Sequence, residues 1–247
     1  MISIGIMVEV NNILLNSGKD RMNNVKEYRN NELKQFVMVH IMALLYLGDV
    51  FNVGDIVCDD LHLSIITTII NSALFSSIIY ILVIVWDAVV PSQAKNYAIY
   101  WWSPLPGHKV FSEWKRKQQD GRVSQNDFMD HYAYIYGELT SNVKTDEYQN
   151  SEWYKIYNKY RKDDMVVASH KDFLMFRDMA VASIVILVLY VIFGLIVGTV
   201  PLTIKGIIFL LIMYTMVNIA ARNKGKKFVN NVLLCDIDSA YKTVNKQ

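Results

Sequence analysis

The sequence predicts an all-α membrane protein with a mostly helical cytoplasmic domain inserted before a C-terminal transmembrane hairpin. Three observations predict it. First, Leu63 to Trp86, Met179 to Gly198 and Leu202 to Ala221 are each about as long as a membrane crossing and hold between them the single charge of Lys205; a hydrocarbon core about 30 Å thick takes roughly 20 helical residues. Second, the 247 residues are 53% hydrophobic yet 19% charged, too apolar for an ordinary soluble domain and too charged for membrane throughout. Third, the charge is segregated into blocks between the apolar stretches.

The amino-terminal segment, residues 1–35, lacks the basic start, apolar run and small-residue cleavage site of a signal peptide and is expected to be retained. Residues 1–16 alternate weakly, which suits a strand or an interfacial segment. The next region, 36–89, opens with a marginal span, Phe36 to Val57, which has a strong apolar half but carries His40, Asp49 and Asp55. A carboxylate at the bilayer centre costs about 3 kcal/mol, so this segment inserts poorly alone and reads as a span, a re-entrant helix or an interfacial helix. Lys19, Arg21, Lys26, Arg29 and Lys34 precede it, whereas Gly48 to His62 holds Asp49, Asp55, Asp59 and Asp60 and no Lys or Arg. The positive-inside rule then puts the amino terminus in the cytoplasm and the acidic loop outside.

The last span is followed directly by Arg222, Lys224, Lys226 and Lys227, which places the tail, 222–247, in the cytoplasm as well. Residues 90–178 lie an even number of spans away and are therefore expected to be cytoplasmic. They are nearly balanced in charge, with helix-like runs at Phe111 to Gln119, Gln125 to Leu139 and Glu152 to Arg161. In WWSPLPGHKVF, Pro104 and Pro106 are expected to stop a preceding extended piece and set a turn, after which Val110 can start a helix. The hairpin, 179–221, is closed by the short link TVP.

The first strong span is unusually polar. Ser64, Thr67, Thr68 and Asn71 share one helical face, and Ser72 and Ser76 extend it. Such a stripe has two uses: small hydroxyls let helices pack closely, or, repeated around a symmetry axis, they line a pore. The amide of Asn71 needs a protein or water partner in lipid. Asp49, Asp55, Asp59 and Asp60 are either a solvated loop or, as rings in an oligomer, a vestibule that concentrates cations. Gly194 and Gly198 form a GxxxG pattern suited to helix packing and self-association. Tyr214, Thr215 and Asn218 make a second small polar patch in the last span.

Other classes have less behind them. A net charge of +2 gives no global basic field for nucleic acid. Cys58 and Cys235 lack CxxC or His-spaced partners, so neither a disulfide framework nor a metal site is expected. His131 with Asp127 and Asp130, and His170 with Asp172, have no third partner, and no HExxH, GxSxG or Gly-rich phosphate loop accompanies them. The expectation is a protein that is not an enzyme and needs no cofactor. Lys109, Lys115, Arg116, Lys117 and Arg122, interleaved with Trp102, Phe111 and Trp114, form a possible patch for a phosphate-bearing ligand, a lipid headgroup or simply water.

The run WDAVVPSQAK, WWSPLPGHKVFSEW, SEWYKIYNKYR and HKDFLMFRDMAVAS, leading into the hairpin, resembles the membrane effectors of bacterial anti-phage defence over about two-fifths of the chain. It looks most like the Hailong-type ion-channel effector. That resemblance implies an oligonucleotide or nucleotide signal made by a partner nucleotidyltransferase, and an ion-conducting oligomer that depolarises the cell; it carries over no ligand residues. The sequence reading is therefore a multi-pass protein of the bacterial inner membrane, homo-oligomeric and taken as a tetramer, with a pore lined by the first strong span. The rival is a non-conducting membrane-anchored binding or scaffold protein, and the third reading a membrane-bound enzyme.

Overall fold

The computed structural model describes residues 31–48, 77–86, 88–139, 145–197 and 201–244, and among these every regular element is helical. In chain order they are α1 (31–47), α2 (Ser77–Trp86), α3 (Ser92–Tyr100), α4 (Val110–Arg116), α5 (Gln125–His131), α6 (Ala133–Leu139), α7 (Thr145–Tyr160), α8 (Asp164–Ile192) and α9 (Ile204–Val244). A single 3₁₀ turn, Pro106–His108, precedes α4, and α8 ends in a π-turn, Phe193–Val197. Among the described residues two helices are long and apolar enough to cross a membrane, Asp164–Leu195 and Ile204–Lys242. Of the first strong span only Ser77–Trp86 is described.

The chain divides into two compact units. In the first, α1 buries Leu33, Val37, His40, Ile41, Leu44 and Leu45 along one face while Val39, Met42 and Tyr46 stay exposed. From Phe36 onward it is apolar on both faces apart from His40, and its 17 described residues extend about 25 Å. His40, read as a burden in the sequence, is buried and bonded through Nδ1 to the Phe36 carbonyl at 2.8 Å. The hairpin turn belongs to this unit too. Tyr190 donates its hydroxyl to the Pro201 carbonyl at 3.0 Å and accepts the Thr203 N–H at 3.0 Å. Thr203 caps α9 by accepting the Gly206 N–H at 3.1 Å. A side chain on Gly194 would run into Leu202, so the first glycine of GxxxG serves packing within its own hairpin; Gly198 lies outside the described residues.

The second unit is organised by aromatic side chains. Trp114 and Phe128 stack at 4.0 Å with 4° between their planes, and Phe111, Tyr132, Ile135, Val232 and Leu233 close round them, all fully buried. The helix-like runs of the sequence are all present. Gln125 to Leu139 breaks in two at Tyr132, whose hydroxyl is drawn inward to the Leu233 carbonyl at 3.1 Å. Ser124 starts α5 by accepting the Asp127 N–H. The tail is a continuation of α9 to Val244, and its Phe228, Val229, Val232, Leu233 and Ile237 supply one wall of the core. Buried Trp nitrogens are satisfied there as well: Trp114 donates to Asn230 Oδ1 at 3.0 Å and Trp153 to the Val229 carbonyl at 3.2 Å.

Candidate functional site

The piece before Pro104 corrects the sequence reading: it is not extended but the helix α3, which begins behind Pro91 and ends at Tyr100. Its last carbonyls have no intrahelical donors, and α9 provides them. Tyr214, Asn218 and Arg222 are spaced four apart and so lie on one face. Tyr214 donates to the Ala98 carbonyl at 2.7 Å, Asn218 Nδ2 lies 3.3 Å from those of Ala98 and Ile99, and Arg222 donates through Nε and Nη2 to Ile99 at 2.9 and 2.7 Å. A cation on a helix C-terminus also complements the helix dipole.

Beyond that cap the backbone reverses at Trp101, whose φ of 52° is the one positive value among the described non-glycine residues. A bulky residue there stores strain of about 1–3 kcal/mol. Its bonds offset that cost: its N–H reaches the Tyr97 carbonyl at 2.8 Å, and its indole N–H is shared between the Ala98 carbonyl at 3.1 Å and the Tyr214 hydroxyl at 2.9 Å. Next to it, Trp102 is 87% exposed.

A charged cluster lies along the same helices. Arg177 and Asp178 immediately precede the apolar stretch of α8 and are buried, as is Lys95 on α3. Asp178 Oδ1 accepts from Arg177 Nε at 3.1 Å and Nη2 at 3.0 Å, with Lys95 Nζ at 3.8 Å. Removing one partner from such a buried group is expected to cost about 3–5 kcal/mol. A side chain on Gly225 would collide with the Tyr100 hydroxyl, so α3 and α9 need that glycine to approach.

A cleft of about 570 Å³ opens beside this seam, with Asn96, Trp101, Trp102, His108, Lys109 and Asp146 in its walls. The basic patch of the sequence is thereby divided. Lys109 lines the cleft; Lys115 and Arg116 sit exposed in the last turn of α4, followed by exposed Lys117. Arg122 is committed to Asp120 at 2.8 and 2.9 Å and to Asn231 at 2.7 Å, and its guanidinium holds the Asp120 carboxyl below the usual range.

The two histidines singled out with nearby carboxylates have structural roles. His131 bonds Asp236 at 3.2 Å, and His170 stacks on Phe228 at 4.6 Å. Among the described residues no group of three or more His, Cys, Asp or Glu could hold a metal ion. Cys235 is buried beside Asp163, and burial first, then that carboxylate, push its thiol up to about 12. The stripe Ser64, Thr67, Thr68, Asn71, Ser72 and Ser76, and the acids Asp49, Asp55, Asp59 and Asp60, lie outside the described residues.

Sequence reasoning missed Lys95, Arg177 and Asp178 altogether and read Arg222 only as a topological marker. The fourfold spacing of Tyr214, Asn218 and Arg222 was the available signal. No family model, curated protein or solved structure matches the chain.

Proposed function

We propose that the chain is a multi-pass, homo-oligomeric effector of the bacterial inner membrane, a tetramer by first choice, whose helical domain gates an ion-conducting pore and so depolarises the cell. The observation that carries this reading is the continuity of α8 and α9. Each runs without interruption from an apolar stretch into the aromatic core, so a rearrangement of the domain is delivered to the apolar segment along two stiff rods. Half of the apolar window of α8 is buried but only 28% of that of α9, leaving apolar surface for lipid or neighbouring subunits. The resemblance of residues 86–183 to defence effectors supplies the biological setting, with an oligonucleotide or nucleotide signal from a partner nucleotidyltransferase as the stimulus.

The test is electrical. Reconstituted wild-type protein should conduct under its stimulus, and Asn71→Leu should suppress the current while the oligomer persists, because leucine dewets that level of a pore. Asp59→Asn with Asp60→Asn should lower cation preference without abolishing current. Equal currents in wild type and Asn71→Leu would remove the stripe from the pore.

One observation favours the rival, a non-conducting membrane-anchored scaffold. Tyr214 and Asn218, the polar patch of the last span, are consumed in bonds within the chain, and Asn71 would follow that precedent. In that case Asn71→Leu breaks the assembly, and no stimulus evokes current from wild type.

A further inference from the structure

The cleft beside Trp101 has a chemistry that the pore reading does not use. Its depth can be read from α9 alone. Tyr214 stands seven residues, about 10 Å, before Ala221, where the apolar run ends and Arg222 begins the charged stretch. Trp101 is bonded to that same Tyr214 hydroxyl, and the cleft extends from Trp101 and Trp102 through His108 and Lys109 to Asp146 at the start of α7. If the apolar run of α9 lies in hydrocarbon, the cleft begins inside the apolar edge and opens into the headgroup layer. Two adjacent tryptophans, 48% and 87% exposed, are the side chains that prefer that layer.

Apart from the Trp101 indole, its key polar groups are uncommitted. Among the described residues the Lys109 ammonium and the His108 ring have neither an ion pair nor a hydrogen bond, unlike the neighbouring cations Lys95, Arg122 and Arg222. They can donate to a phosphate. A phosphodiester, however, has nothing to donate in return, and the wall also offers acceptors. Asn96 Oδ1 is buried with no hydrogen-bond partner, and Asp146 contributes a carboxylate. A buried acceptor left without a donor is costly, so a ligand that supplies the donor is favoured. The complementary occupant carries both a phosphate and an N–H donor.

We propose that this cleft binds the headgroup of a membrane phospholipid of the phosphoethanolamine class, with its phosphate on Lys109 and His108 and its ammonium towards Asp146 and Asn96. The inference rests on the membrane reading of the hairpin but not on the pore. A soluble compound with the same phosphate and amine would satisfy the same groups, so the source has to be tested separately.

The experiment uses the full chain, purified and delipidated in mild detergent, with apparent thermal midpoints recorded in micelles doped with phosphatidylethanolamine, phosphatidylcholine or phosphatidylglycerol. A ligand that binds only the folded state raises the midpoint. Phosphatidylethanolamine should raise it by several degrees, clearly more than either of the other two. Lys109→Gln, at an exposed position, should leave the lipid-free midpoint in place and remove the rise. Asp146→Asn should keep a rise but bring phosphatidylethanolamine down to the level of phosphatidylcholine. Equal rises with all three lipids, or a phosphatidylethanolamine rise that survives Lys109→Gln, would overturn the proposal. Free glycerophosphoethanolamine matching the effect without any lipid would overturn the lipid source. Carbonate extraction of membranes keeps the two failures apart: protein released as soluble contradicts the hairpin reading, whereas protein retained in the membrane with no lipid-dependent rise contradicts the headgroup site alone.

Discussion

The two ends of α9 obey opposite rules of burial. At its start, Ile204, Ile208, Ile212, Met216 and Ile219 are more than half exposed, while the amide of Asn218 is buried. Towards its end, Phe228, Val232, Leu233 and Ile237 are buried, while Lys226, Lys227, Asp238 and Lys242 face outward. On the membrane reading proposed above, one helix with two surfaces meets two solvents. Where water surrounds a helix, apolar groups are driven inward; where lipid surrounds it, apolar groups are at home outside and polar backbone groups need internal partners. The crossover falls between Asn218 and Gly225, where α3 is capped.

The comparison breaks most directly if equal cuts at the two ends have equal effects. Leu233→Ala removes a fully buried side chain from a packed core and should destabilise the protein by about 2–5 kcal/mol. Ile212→Ala, at a position 53% exposed, should stay within about 0.5 kcal/mol in detergent. Thermal or denaturant unfolding of both variants checks this. A large loss at Ile212 would mean that the exposed stripe is covered by another subunit rather than by lipid or detergent.

The next prediction concerns the crossover. Arg222→Met keeps the length of the side chain but removes both donors to the Ile99 carbonyl and the positive charge at the end of α3. About 2 kcal/mol of local stability should be lost. Hydrogen exchange of the α3 amides, residues 92–100, should accelerate while the core amides of α5 and α7 keep their protection. Exchange that rises everywhere would make Arg222 part of the global core instead of a local clasp. Unchanged exchange in α3 would remove the cap from the argument.

How much of this was legible follows from which interactions are local. The helical class, the hairpin and the helices of the domain are written in uninterrupted apolar stretches and in short-range signals such as Ser124 ahead of Asp127, so the sequence carries them openly. The join between apolar segment and domain is not local. Lys95 meets Asp178 across 83 positions, and Arg222 meets Ile99 across 123; nothing in either neighbourhood announces the other. Basic residues after an apolar run are also expected for topology alone, so Arg222 had a sufficient reason to be there before its bonds were known. Trp101 misled for a related reason. Two prolines just downstream suggested extended chain, whereas the three donors on α9 make it favourable for the residues before them to end a helix. The divided basic patch teaches the converse, since Lys109 and Arg122 are close in sequence but one lines the cleft and the other is spent on Asp120.

The smallest expected effect separates the ends by acidity. The apolar stretch from Ile204 to Ala221 contains no Asp or Glu, so a carboxylate contribution to acid sensitivity from α9 must come from its far end. Asp236 is the group to watch. Burial there works to raise its pKa, but the hydrogen bonds from His131 and Lys159 more than offset it, and the carboxyl is held below its ordinary range. Because the folded state favours the ionised form, the stabilisation is fully present above the unfolded value of roughly 3.9 and is lost as pH falls through the lower folded value. Three donors at 3.2 Å, His131, Tyr132 and Lys159, two of them partly exposed, give a contribution of about 1 kcal/mol. Asp236→Asn should therefore lower the thermal midpoint by a few degrees at pH 6. The gap to wild type should close as the pH is taken below 4, where the wild-type carboxyl is also becoming protonated. A gap that stays constant over that range would show that Asp236 contributes through shape and hydrogen bonding, with its charge playing no part.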